Sequence, residues 1–180
     1  MMNLRLLRLL PALLLLLLPS FQAAAQSQNP SGLPLPRFVT TRSGTINVRV
    51  GPGTKYDIAW TYKISGVPVE IVQEFDIWRK IRDVDGSEGW VQQNMLSGSR
   101  AGFIAPEENV DRVAMRSAAS PDGGIIAWLP LGFRITLQSC EANWCRATAV
   151  NHPVGQPTVN FSGYVAQGDI WGVYRSESFD

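Results

Sequence analysis

Histidine is almost absent from this chain, cysteine is scarce, and neither sign of charge dominates. His152 is the one imidazole in 180 residues, and its nearest acids, Glu141 and Asp169, lie 11 and 17 positions away. A hydrolytic centre built on a histidine therefore has no partner close in sequence. The two cysteines, Cys140 and Cys145, lack the C-x-x-C spacing and neighbouring ligands of a metal or redox pair. Asp83, Asp85 and Glu88 cluster on a turn, but without the oxygen-ligand spacing of a calcium loop. No catalytic residue, metal or cofactor is indicated, and the chain reads as non-enzymatic. Lys and Arg total 16 against 15 Asp and Glu, and the arginines are dispersed. Without a basic cluster to track phosphates, nucleic acid is excluded as a partner.

Long apolar runs are confined to the N-terminus. Residues 1–25 combine Arg5 and Arg8, an apolar stretch from Leu9 to Leu18, and Ala23-Ala24-Ala25 before Gln26. That is the three-part pattern of a cleaved export signal. The run is shorter than the roughly 20 residues that span a bilayer, so no stable membrane anchor is expected after cleavage. The mature protein is expected to be periplasmic or secreted. Residues 26–37 carry Pro30, Pro34 and Pro36 and read as an extended, proline-rich linker.

What the remainder does have is a repeat. Asn47-Val48-Arg49-Val50, Ile58-Ala59-Trp60, Gly66, Trp78 and Gly89-Trp90-Val91 recur as Ala114-Met115-Arg116-Ser117, Ile126-Ala127-Trp128, Gly132, Trp144 and Gly163-Tyr164-Val165. Arg49 maps to Arg116, Trp60 to Trp128 and Trp78 to Trp144. Repetition at this period marks paired small domains rather than one large one. Their expected bounds are 38–97 and 109–175, with 98–108 as connector. The spacing from Trp144 to Gly163 is 19 positions against 11 from Trp78 to Gly89, so eight residues are added around His152. Such a loop either carries function or is merely tolerated.

Within each copy, short alternating runs such as Ile46-Asn47-Val48-Arg49-Val50 are separated by Gly, Pro and Asp turns, with no helical period. Val67–Gln73 and Trp78–Arg82 read as a hairpin, and 94–96 as a single helical turn. The class is all-β, with two small barrels in tandem. Cys140 and Cys145 flank a four-residue hairpin connection, and in an oxidising compartment they are expected to bridge.

Asn47-Val48-Arg49-Val50-Gly51-Pro52-Gly53-Thr54, Tyr56, Gly66, Trp78-Arg79-Lys80-Ile81 and Gly89-Trp90-Val91 together resemble the bacterial SH3-like (SH3b) family. The second copy keeps Arg116, Pro121, Gly132, Trp144 and Gly163-Tyr164-Val165, but lacks the Gly-Pro-Gly turn and has Tyr164 in place of Trp90. The resemblance implies barrels of five to seven strands in exported proteins that bind cell-wall peptide or glycan. The partner it implies is peptidoglycan. A cell-envelope protein, bound by a scaffold subunit, is the alternative.

Candidate ligand contacts follow from side-chain parity. Trp78 shares a strand face with Lys80, and Trp144 with Arg146, so both indoles are expected on the wetter face. There they either stack on ligand or pack against the cationic stems. Tyr56 and Asp57 match the stretch that lines the groove in the family. Trp60, Trp90 and Trp128 lie in apolar strands and are expected in the core.

Overall fold

The computed structural model describes residues 29–42, 44–107 and 109–180. The export signal expected at residues 1–25 lies outside the described residues. Among those described there is no α-helix, so none is long and apolar enough to cross a membrane.

Seven strands make the first sheet: β1 (Arg37–Thr41), β2 (Ile46–Arg49), β3 (Ile58–Tyr62), β4 (Pro68–Phe75), β5 (Trp78–Arg82), β6 (Glu88–Gln92) and β7 (Leu96–Ser97). Seven more make the second: β8 (Ala101–Ile104), β9 (Arg112–Arg116), β10 (Ile125–Pro130), β11 (Arg134–Glu141), β12 (Trp144–Asn151), β13 (Val159–Ala166) and β14 (Ile170–Trp171). The orders are β3-β2-β6-β5-β4-β1-β7 and β10-β9-β13-β12-β11-β8-β14, the same topology twice. A single 3₁₀ turn precedes the last strand of each, at Gln93–Met95 and Gln167–Asp169. Val48, Val69, Ile81 and Val91 centre one core; Met115, Ile135, Ala147 and Val165 centre the other.

The duplication extends to single bonds. Gly66 and Gly132 both have φ of 72°, a left-handed turn that glycine enters without a Cβ clash. Their amides donate to the carbonyls of Thr41 and Ile104, each at 2.8 Å. This pair identifies β8 as the counterpart of β1. Residues 101–104 are thus the first strand of the second sheet, pairing with β11 and β14, and not the connector expected over 98–108.

Register also corrects the sequence alignment of the tryptophans. Trp60 stands opposite Val48, whereas Trp128 stands opposite Ala114, which corresponds to Asn47. A shift of one residue sends a side chain to the other sheet face. Trp60 packs against the first core, but Trp128 points outward and is 49% exposed. Trp90 is buried.

Cys140 and Cys145 are bridged and face each other across β11 and β12. The connection is tighter than four residues, because Glu141 and Trp144 also pair. Ala142 and Asn143 alone make the turn, both with positive φ, as a hairpin of this length requires.

Residues 29–37 are docked rather than free. The Ser31 hydroxyl and amide donate to the Glu74 carboxylate at 2.7 and 2.9 Å, and Arg37 reaches it at 2.6 Å. Buried Arg79 completes the cluster at 3.2 Å. Burial alone raises the Glu74 carboxyl, but the bonds from Ser31 and Arg37 and the Arg79 charge outweigh it and hold it below its ordinary 4.5. A depressed folded-state pKa stabilises above the unfolded value and is lost as pH falls through the folded one. Glu74→Ala is expected to lower stability by about 3–5 kcal/mol at neutral pH, since it strands Arg79. Urea unfolding should show that difference shrinking as pH falls below 4.5.

Candidate functional site

On the first barrel, Ile46, Trp78 and Met95 form the apolar floor of a cleft of about 170 Å³, with Thr45, Asn47, Arg49, Thr54 and Gln92 around it. Trp78 begins β5 directly after the two-residue turn at Asp76 and pairs with Gln92 on β6. It is only 7% exposed, so the wet-face expectation is corrected. Both faces of β5 are covered next to its turn, and the Gln93 amide that opens the 3₁₀ turn donates to the Ile77 carbonyl at 2.9 Å. Its neighbour Arg79 is buried as well, donating to the carbonyls of Asp76 and Trp78 and to Gln93. Lys80 remains at the surface, paired with Glu88 at 2.6 Å.

Asn47 is exposed and its side-chain oxygen accepts a hydrogen bond from the Thr61 hydroxyl at 2.9 Å, so its N–H₂ is not used in that bond. Arg49 donates to the Tyr56 carbonyl at 2.6 Å and so ties the Gly-Pro-Gly loop to the sheet. Arg116 repeats this brace on the second barrel, donating to the Gly123 carbonyl at 2.9 Å. The arginine shared by the two repeats is thus a loop anchor, a role that the strand pattern alone did not reveal.

Tyr56 folds back over its own loop. A Cβ added at Gly51 would lie 2.6 Å from the Tyr56 ring, and one at Gly53 3.3 Å away. The two glycines are there because the ring lies against the backbone. Lys55 lies 5.4 Å from the ring centroid. Asp57 is exposed, and its backbone carbonyl accepts from Val50. Tyr56 and Asp57 flank the cleft loop without lining the cleft.

Trp144 is half-buried on the second barrel, opposite Glu141 and Ala166. Two polar residues of the first cleft are lost around it: Asn47 becomes Ala114 and Gln92 becomes Ala166. The structure does not bring Trp78 and Trp144 into comparable surroundings.

The first barrel's cleft lies within a stretch that can be matched to known families. Residues 42–98 match the family model of the bacterial SH3 domain. This part of the chain is a bacterial SH3 domain. The match covers the first barrel from after β1, and the second barrel shares its strand order. No curated protein matches the chain. Two solved structures from Trichomonas vaginalis are similar. NlpC2 aligns with TM-score 0.31 and 13% identity over 76% of this chain, and NlpC1 with 0.30 and 14% over 78%. The chain spans 48% and 47% of their lengths.

Gly51→Ala is expected to cost about 1–3 kcal/mol, the usual penalty of forcing atoms into a filled site. Tyr56→Ala in the same chain should relieve most of it. A double-mutant cycle by thermal unfolding measures the coupling; additive effects would mean that the ring does not rest on Gly51.

Proposed function

We propose that the chain is a non-catalytic, extracytoplasmic module that binds peptidoglycan peptide or glycan through the cleft of its first barrel. The observation that carries this reading is the composition of the cleft within the family-matched barrel. An apolar floor at Trp78 and Met95 suits a sugar face or an alkyl stem. Asn47, Arg49 and Gln92 supply donors suited to carboxylate, amide or acetamido oxygens.

Two observations support a binding role over a catalytic one. His152 sits in the β12–β13 hairpin with Nδ1 2.9 Å from the Thr158 hydroxyl. Both cysteines are consumed in the bridge. The bridge also favours an oxidising compartment outside the cytoplasm. A protein partner in the envelope is the second reading, favoured by the exposed apolar surface of the second barrel around Trp128.

Sedimentation with purified sacculi tests the first reading. Trp78→Ala removes a buried indole at about 3–5 kcal/mol, so lost binding would only report unfolding. Asn47→Ala with Gln92→Ala leaves the core intact and is expected to weaken sedimentation about tenfold or more. An unchanged bound fraction would remove the cleft from consideration. Digesting the sacculi with a muramidase or an amidase then separates glycan from peptide recognition.

Export has its own check. Protein recovered from native cells should begin near Gln26, and neither cysteine should alkylate under denaturing conditions until reductant is added. A retained Met1, or two free thiols, would place the chain in the wrong compartment for this function.

A further inference from the structure

The outer faces of the two sheets differ in charge. On the first barrel Lys80 pairs with Glu88 at 2.6 Å, and Arg82 pairs with Glu70 and Glu88 at 3.1 Å. The shared register carries Lys80, Arg82, Glu88 and Glu70 onto Arg146, Thr148, Ser162 and Thr136. One guanidinium replaces the ammonium, and hydroxyls replace both carboxylates. Strands β9, β12 and β13 contain no Asp or Glu, and β11 has one, Glu141, at its hairpin end. Among the described residues no ion pair reaches Arg146.

Alternating burial shows which side chains share this face. Cys145, Ala147, Gly163 and Val165 are buried, Trp144, Thr148 and Tyr164 are half-buried, and Arg146 and Ser162 are exposed. Tyr164 stands opposite Arg116 on one side and Arg146 on the other. Trp144 lies two residues before Arg146, diagonal to Tyr164, a separation within reach of aromatic side chains. The Gln138 amide donates to Thr148 at 3.1 Å, and the Thr148 hydroxyl lies 3.2 Å from that of Ser162, a polar row across three strands. Because β12 lies between β11 and β13, its backbone is used within the sheet and no peptide can add along it as a strand. Side chains alone meet a ligand here. Aromatic rings beside hydroxyl and amide groups suit sugar rings and their hydroxyls. A guanidinium without an acidic partner suits a carboxylate.

We infer that this face binds an acidic polysaccharide. Trp144 and Tyr164 lie under its sugar rings, Arg146 meets a sugar carboxylate, and the Gln138–Thr148–Ser162 row meets hydroxyls. The site is separate from the cleft of the first barrel and does not rest on the function proposed for that cleft. On the first barrel the same face cannot serve, because Glu70 and Glu88 already neutralise its cations.

The test titrates the full mature chain with hexagalacturonate, followed by NMR chemical shifts. Shifts should concentrate at Trp144, Arg146, Ser162 and Tyr164. The N-acetylglucosamine hexamer, which carries no carboxylate, should bind about tenfold more weakly or worse, and Arg146→Gln should weaken hexagalacturonate by about the same factor. Ser162→Glu restores the first barrel's pairing beside Arg146 and should abolish binding. Both substitutions are at exposed positions, and thermal unfolding checks that each variant is folded. Asn47→Ala with Gln92→Ala should leave hexagalacturonate binding unchanged, so that failure of this face and failure of the first barrel's cleft are read separately. Equal binding of the neutral hexamer, unchanged affinity in folded Arg146→Gln, or shifts scattered over other arginines overturns the inference. So does equally tight binding of a glutamate hexapeptide at the same residues, which would make this a general anion face.

Discussion

Glu70 joins the two barrels. It sits on β4 opposite Phe38 on β1 and Arg82 on β5, and it is almost fully buried. A carboxylate taken out of water needs partners for both oxygens. Arg82 supplies one from the same barrel at 3.1 Å, and the Tyr174 hydroxyl supplies the other from the second barrel at 2.7 Å. Burial and that bond together push the Tyr174 hydroxyl well above its ordinary range, so it remains a donor. Phe38 extends the joint, with its ring 5.1 Å from that of Trp171 and 4.8 Å from that of Tyr174. Arg134 adds a bond to the Ser65 carbonyl at the Gly66 turn. Domains of this size bury a modest fraction of their surface alone, so shared burial at the joint serves both.

The C-terminal segment that carries Tyr174 is itself fixed. Arg100 makes a two-pronged pair with Glu177 at 2.7 and 3.0 Å, and its guanidinium lies 4.2 Å from the Phe179 ring centroid. Phe179 bonds in both directions with Cys140, so the tail continues past the disulfide-closed hairpin. The disulfide thus braces the strand against which the tail lies, and the tail presents Tyr174 to Glu70. A bridge that closes so short a loop contributes about 2 kcal/mol through chain entropy. Its placement matters more than that figure.

Much of the scaffold was legible from residues, because alternation, turn glycines and the repeat are local signals. Strand positions, the 3₁₀ turn near Met95 and the Cys140–Cys145 pairing all follow from spacing. Side-chain exposure was less legible. Parity assigned Trp78 to a wet face, but both faces of β5 are covered near its turn, where Trp78 and Arg79 are buried side by side. Aligning Trp60 with Trp128 looked natural by residue type, yet bulges between Val48 and Arg49 and between Ile125 and Ala127 fix a register that places them on opposite faces. The connector was misjudged for a related reason. Ala101-Gly102-Phe103-Ile104 has no sequence counterpart in Phe38-Val39-Thr40-Thr41, and only hydrogen bonding equates them.

A joint of this kind changes what two weak sites can do. If the barrels swung freely, a ligand on one would leave the other to search a large volume. With Glu70, Tyr174 and the Phe38 rings fixing their relation, each site is presented at a set distance and angle from the other. Effective concentration is then governed by whether the ligands match that geometry, and it falls to nothing where they do not. A fixed relation favours ligands that are themselves fixed relative to one another.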